Sequence, residues 1–144
     1  MIDKFGRKVN YLRLSVTDRC DLRCSYCMPK KNSKLYPKSE ILSLDALKRI
    51  TKVLINLGIK KIIITLGEKG LFYTDGKEEI YLKATSVKAI DTTGAGDAFN
   101  GGLAYGLSKE KPIKECLELA NKVAGISTTK LGAGDAMPFI SDIE

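Results

Sequence analysis

Two clusters in this sequence have the residue types and the spacing to do chemistry. The first is "CDLRCSYC", where Cys20, Cys24 and Cys27 stand in a C-x3-C-x2-C pattern. Thiolates spaced in this way can wrap three corners of a 4Fe–4S cube, which leaves one iron without a protein ligand and free to bind a small molecule. Zinc binding, a disulfide and plain structural cysteines are the other readings. A structural zinc wants four Cys or His ligands. The sequence has no histidine, and its remaining cysteine, Cys116, lies far along the chain on an apolar helix face. Disulfides are disfavoured in the cytosol.

The second cluster is "DTTGAGDAFNGG", Asp91 to Gly102, which puts Gly94, Ala95 and Gly96 at the start of an expected helix. Small residues there expose backbone N–H groups, and the helix dipole adds partial positive charge, so the turn can hold an anion. Asp97 follows in the first turn. A carboxylate beside an anion hole can take the proton of a hydroxyl as that hydroxyl attacks phosphorus. The plainer reading is a glycine-rich turn whose acidic residue is simply favoured by the dipole.

These clusters need elements to hold them. "YLRLSV", Tyr11 to Val16, alternates and is rich in β-formers, so it reads as a strand running into the cysteine loop. Residues 28–42, with Pro29 and Pro37, read as an exposed loop. Ser43 caps a helix with Asp45 in its first turn; Leu44, Leu47, Ile50, Leu54 and Leu57 recur at helical spacing, and Gly58 stops it. "KKIIIT" follows as a buried strand, so strand, helix, strand is the raw material of a parallel sheet. "LFYTDGKEEIYL" has the form of a hairpin about Asp75 and Gly76, and "SVKAI" reads as another short strand. Two helices close the chain: one begins in "TGAGDAF", the other near Pro112 with Ile113, Leu117, Ala120 and Val123 on one face. Cys116, on the apolar side of that last helix, reads as a small hydrophobe without chemistry.

With 144 residues there is room for about one domain, and no apolar run approaches the ~20 residues that span a bilayer. The opening "MIDKFGRKVNYLRLSV" mixes charges and apolar residues without a continuous apolar region, so a signal peptide is not expected and the cytosol is. The net charge of +7 is uneven: residues 1–64 hold 15 Lys/Arg against 5 Asp/Glu, residues 65–144 hold 9 against 12. The two halves are compositionally foreign to each other. No RNA- or DNA-binding motif accompanies the basic half, so solvated lysines and an anionic metabolite explain it better than nucleic acid.

The stretches "FGRKVNYLRLSVTDRCDLRCSYCMPK" and "LSLDALKRITKVLINLGIKKI" together resemble the start of the GTP 3′,8-cyclase family of molybdenum cofactor biosynthesis, radical S-adenosylmethionine enzymes. The resemblance covers roughly residues 1–64. It implies that Cys20, Cys24 and Cys27 hold a 4Fe–4S cluster, that Tyr26 contacts S-adenosylmethionine, and that Arg13 contacts GTP. The pattern then departs. Ile63 stands where the family has a second GTP-contacting arginine, and "LGEK" replaces its Gly-Gly-Glu-Pro motif. The later barrel strands and the C-terminal cysteines of that family have no counterpart.

From about Lys61 onward, "KIIITLGEKGLFYTDG", "VKAIDTTGAGDAFNGGLAYGL" and "LELANKVAGISTTKLGAGDAMP" resemble, in order and spacing, the C-terminal third of ribokinase-family (PfkB-type) sugar and nucleoside kinases. The resemblance implies that Asp97 is the catalytic base and that Gly94, Ala95 and Gly96 form the anion hole. It further implies that Thr65, Gly67, Gly70 and Asn121 line the site of ATP with its Mg. Asp91, Thr93, Ser127, Gly132 and Ala136 match positions that hold a monovalent cation, often potassium. The family's sugar-binding residues, lid and most of its central sheet have no counterpart.

The expected fold is therefore α/β: a partial parallel or mixed sheet with flanking helices, in which a truncated βα-barrel start (1–64) joins the C-terminal part of a ribokinase-like fold (65–144), the two packed as one compact unit. The expected function is an ATP-binding phosphotransferase fragment with Asp97 as base. The alternatives are a 4Fe–4S radical S-adenosylmethionine fragment and a chimera that folds without turnover. The expected partner is a small-molecule nucleotide, with neither nucleic acid nor membrane, and exposed sheet edges would favour a homodimer. Ile62 to Ile64 suit either parent, because a buried strand asks mainly for β-branched apolar residues.

Overall fold

The helix expected from Ser43 forms as α1, Leu44–Asn56. Ser43 Oγ accepts the Ala46 N–H at 3.2 Å, which satisfies one of the donors that a helix start leaves unpaired. At the other end Gly58, at φ 95°, turns the chain out of the helix: its N–H reaches the Ile55 carbonyl and the Ile59 N–H reaches that of Leu54. This pair of bonds is the Schellman closure, for which glycine is the least strained residue. Among the residues of the helix whose burial is described, Leu47 and Thr51, four apart, are the buried ones.

The computed structural model describes residues 2, 4–6 and 37–143, and the chain divides into two units, residues 1–60 and 61–144. The expected strand Tyr11–Val16, Arg13, Cys20, Cys24, Tyr26, Cys27 and most of the 28–42 loop lie outside the described residues. In the second unit β1 (Ile62–Thr65), β2 (Leu71–Thr74) and β3 (Glu79–Leu82) form a sheet in the order β1-β2-β3. Helices α2 (Ala95–Ser108) and α3 (Ile113–Ser127) pack against each other and, through Phe99, Leu117 and Ala120, on Leu71, Tyr73 and Ile80 of the sheet.

The sheet corrects two expectations. Both strand pairings are antiparallel, with Ile63 opposite Tyr73 and Tyr73 opposite Ile80, so the described strands form neither a parallel sheet nor the start of a barrel. Only residues 66–70 connect β1 to β2, whereas a parallel crossover needs roughly a dozen residues or more. The hairpin about Asp75 and Gly76 is as expected: Asp75 Oδ1 accepts the N–H groups of Lys77 and Glu78, each at 2.9 Å. The second correction concerns "SVKAI", which is not a strand. Its last residue spends its N–H on the end of α3, with Ile90 and then Asp91 both donating to the Thr128 carbonyl, at 2.7 and 3.1 Å. The backbone is satisfied there by a helix terminus rather than by a ladder.

The contact between α2 and α3 depends on small residues. A Cβ built on Gly102 would stand 3.0 Å from the Ala120 Cα, and one on Gly106 would stand 3.0 Å from Cys116 Sγ. Cys116 is fully buried, and its thiol donates to the Lys111 carbonyl at 3.3 Å, in keeping with a packing role. Among the described residues, no helix is long and apolar enough to cross a membrane.

Candidate functional site

The sharp connection from β1 to β2 forms the first wall of a cavity of about 790 Å³ in the second unit. After Thr65 the chain makes a 3-10 turn, Gly67–Lys69, closed by Gly70 N–H to the Gly67 carbonyl and by Leu66 N–H to the Gly70 carbonyl. Gly70, at φ 94°, is buried with Leu82 O only 1.9 Å from where a Cβ would sit. No other residue type fits there, which is why the turn can lie flat on β3.

The second wall comes from α3 and the segment that precedes α2. Asn121 Nδ2 donates to the Lys83 carbonyl at 2.7 Å. One turn later a Cβ on Gly125 would stand 2.8 Å from the Thr85 Cβ, so glycine lets residues 83–86 run close along the helix. Asn121 and Gly125 share a helix face by their spacing of four. Cys116, Leu117, Ala120 and Val123 of the same helix are buried in the core.

The N-terminus of α2 supplies the third wall through Ala95 and Gly96. Gly94 caps the helix in the left-handed region, at φ 75°, and its carbonyl accepts the Ala98 N–H at 2.9 Å. The first-turn N–H groups of a helix have no intrahelical acceptor, so this end presents donors and partial positive charge. Lys69 and Lys83 add cationic groups to the lining, against one carboxylate, Glu68.

Of the residues singled out by sequence, Thr65, Gly67, Gly70, Ala95, Gly96 and Asn121 line this one cavity. Gly94 and Asp97 flank the lining at its helix end, and Asp97 is exposed in the first turn of α2. Lys83, Thr85, Ser86 and Gly125 also line the cavity but were absent from the sequence expectations. Gly125 was within reach of sequence reasoning through its spacing from Asn121. Thr85 and Ser86 were hidden by being read as a strand and its approach.

Of the residues matched to a cation site, Asp91, Thr93 and Gly132 are joined by hydrogen bonds, outside the cavity lining. Asp91 Oδ1 accepts the Thr93 N–H and Asp91 Oδ2 accepts the Gly132 N–H, each at 2.9 Å. The Thr93 side chain, the Gly132 N–H and the Thr93 N–H hold the Asp91 carboxyl below the usual carboxylate range. Ser127 is fully buried and donates its hydroxyl to the Ala124 carbonyl at 2.8 Å, while Ala136 is buried beside Met137. Among the described residues, no group of three or more His, Cys, Asp or Glu side chains gathers to hold a metal ion.

Comparison with known proteins bears on both parts of the chain. A ribokinase from Thermotoga maritima is 35% identical with a TM-score of 0.65, covering 67% of this chain and 33% of that one. An aminoimidazole riboside kinase from Salmonella enterica, solved with aminoimidazole riboside and an ATP analog, is 34% identical with a TM-score of 0.62, covering 67% of this chain and 34% of that one. The chain thus spans about a third of the kinases it matches.

A second likeness is to the GTP 3′,8-cyclase of Desulforamulus reducens, 56% identical over 60 residues, which is 42% of this chain and 18% of the cyclase. The chain spans less than a fifth of that relative. The family description pfkB family carbohydrate kinase matches residues 35–140. A 60-residue stretch is longer than what precedes residue 35, so the two likenesses overlap, consistent with a chimera whose junction serves both. Since the kinase match takes in most of the sequence, the chain belongs to the pfkB family of carbohydrate kinases.

Proposed function

We propose that the second unit is the nucleotide-binding part of a ribokinase-like phosphotransferase that moves the terminal phosphoryl group of ATP to a sugar or nucleoside hydroxyl. The observation that carries this reading is the convergence of Thr65, Gly67, Gly70, Ala95, Gly96 and Asn121 on one cavity. Its volume suits a nucleotide, since small-molecule sites usually measure about 300–1,000 Å³. A Cβ on Gly67 or Gly96 would meet nothing within 4 Å, so the backbone at both walls is open to a ligand.

In this reading the polyphosphate lies toward the N-terminus of α2, whose N–H groups balance the charge that develops on the phosphoryl oxygens. Magnesium, bound with the nucleotide, supplies further charge neutralisation. Asp97 takes the proton of the acceptor hydroxyl as its oxygen bonds to the γ-phosphorus and the bond to the ADP oxygen breaks. Potassium near Asp91, Thr93, Ser127, Gly132 and Ala136 is the cation that the family resemblance implies.

Titration calorimetry with ATP and Mg tests the reading, with and without potassium. Saturable heat supports it, and no heat under either condition overturns it. Where ATP is turned over, Asp97→Ala should lower the rate by about 10²- to 10⁴-fold, the usual contribution of a general base, while binding is largely kept. Equal turnover would remove Asp97 from the mechanism.

The likeness to GTP 3′,8-cyclases favours a second reading for the first unit, in which Cys20, Cys24 and Cys27 hold a 4Fe–4S cluster, with S-adenosylmethionine beside Tyr26 and GTP near Arg13. Anaerobic reconstitution with iron and sulfide tests it by visible absorption. The same spectrum after Cys24→Ala would sink it.

A further inference from the structure

We infer that Asp91 is a positioning residue, whose carboxylate ties the loop of residues 129–137 to the N-cap of α2 and so sets the phosphate end of the cavity. Oδ2 accepts the N–H of Gly132, 41 positions away, while Oδ1 accepts the N–H of Thr93 at the entrance to the helix. One side chain therefore bridges the loop and the turn that starts α2. The loop is anchored a second time at Thr128, whose carbonyl accepts both the Ile90 and the Asp91 N–H groups. Beyond Gly132 it rests on the cap itself: a Cβ on Gly94 would lie 3.3 Å from the Ala133 Cβ and 3.0 Å from Met137 Cε.

Gly94 is the residue whose left-handed turn aims the first N–H groups of α2, so a loop seated on Gly94 limits how that turn can move. Residues 130–135 are exposed and Gly132 has open space where a side chain would begin, so little packing holds the middle of the loop. The Asp91 bond is what spans that gap. The tie itself needs no cation, because each carboxylate oxygen already accepts an N–H at 2.9 Å. Its consequence for phosphate binding rests on the phosphotransferase reading; the tie itself does not.

Amide hydrogen exchange read by mass spectrometry on the full chain tests the tie, and calorimetry with ATP and with adenosine tests its effect. In potassium-free tetramethylammonium buffer the Gly132 amide should exchange about tenfold more slowly in the wild type than in Asp91→Ala, the effect of one hydrogen bond to a charged acceptor. Asp91→Asn, which keeps one acceptor oxygen, should fall between them. ATP affinity should drop about tenfold in Asp91→Ala while adenosine affinity changes less than twofold.

Equal exchange in wild type and variant would overturn the tie. So would protection that appears in the wild type only when potassium is added, a measurement that stands even if Asp91→Ala does not fold. Equal losses for ATP and adenosine would overturn the effect on the phosphate end. A wild type that binds neither ligand would count against the phosphotransferase reading alone, with the exchange rates still deciding whether the tie exists.

Discussion

Asn121 on α3 donates its side-chain amide to the Lys83 carbonyl at 2.7 Å, closing a 38-residue loop of chain into one wall of the cavity. The bond joins a helix face to a segment that belongs to no strand, and a partly exposed hydrogen bond of this kind contributes about 0.5–1.5 kcal/mol. Asn121→Ala should therefore lower the urea midpoint by that amount of stability. Asn121→Asp keeps the size but removes the donor, so it should cost at least as much at neutral pH. An unchanged midpoint in both variants would show that Lys83 is held by its neighbours instead.

Two adjacent glycines in α2 should respond in opposite directions. Gly101 is exposed with nothing within 4 Å of a built Cβ, whereas Gly102 is buried with the Ala120 Cα and Val123 Cγ2 each 3.0 Å away. Alanine at Gly101 should stabilise by up to about 1 kcal/mol through helix propensity. Alanine at Gly102 gains the same propensity but pushes on the backbone of α3, and overpacking of that kind costs about 1–3 kcal/mol. Thermal unfolding of the two variants checks the contrast, and an equal shift in both would refute it.

Glu110 adopts φ 53° just past the end of α2, where Glu110 N–H meets the Leu107 carbonyl and Lys111 N–H that of Gly106. This is the position that favours glycine, and a non-glycine residue in the left-handed region pays about 1–2 kcal/mol. Glu110→Gly recovers part of that and loses some through the freer unfolded chain. The net expectation is a gain of up to about 1 kcal/mol in chemical denaturation, and a loss would mean that the Glu110 side chain contributes more than its backbone costs.

The Asp91 bonds carry a pH dependence of defined sign. The carboxyl is held below its ordinary range by the Thr93 side chain, the Gly132 N–H and the Thr93 N–H. A depressed carboxyl contributes stability above its unfolded pKa, about 3.9, and that stability fades as pH falls through the lower folded value. The difference in melting temperature between wild type and Asp91→Asn should be constant from pH 8 to pH 5 and shrink below about pH 4. A difference that instead grows in acid would contradict the carboxylate as acceptor.

The local elements were legible because their signals are local. Ser43, the apolar spacing from Leu47 onward and Gly58 are a helix start, face and stop, and α1 begins and ends where they say. Asp75 and Gly76 mark a turn between two alternating runs, and β2 and β3 follow. "SVKAI" was misread because its β-forming residues are indistinguishable from a strand until one knows that the Thr128 carbonyl takes the Ile90 N–H. The lining of the cavity was legible in part: Thr65, Gly67, Gly70 and Asn121 share it, while Lys83 and Thr85 join it with side chains and spacing that carry no signal.

By itself the sequence determined where α1, α2 and α3 lie, that a tight hairpin sits at Asp75, and that a small-residue turn ending in Asp97 opens a helix. Each follows from caps, turn residues and periodicity within a few positions of one another. Only the tertiary structure decided that the sheet runs antiparallel, that Gly70 and Gly125 are sites of close backbone approach, and that Asp91 reaches Gly132 rather than standing open. These depend on which distant backbones come within hydrogen-bonding or van der Waals distance, and burial and unpaired N–H groups across the whole fold select that arrangement.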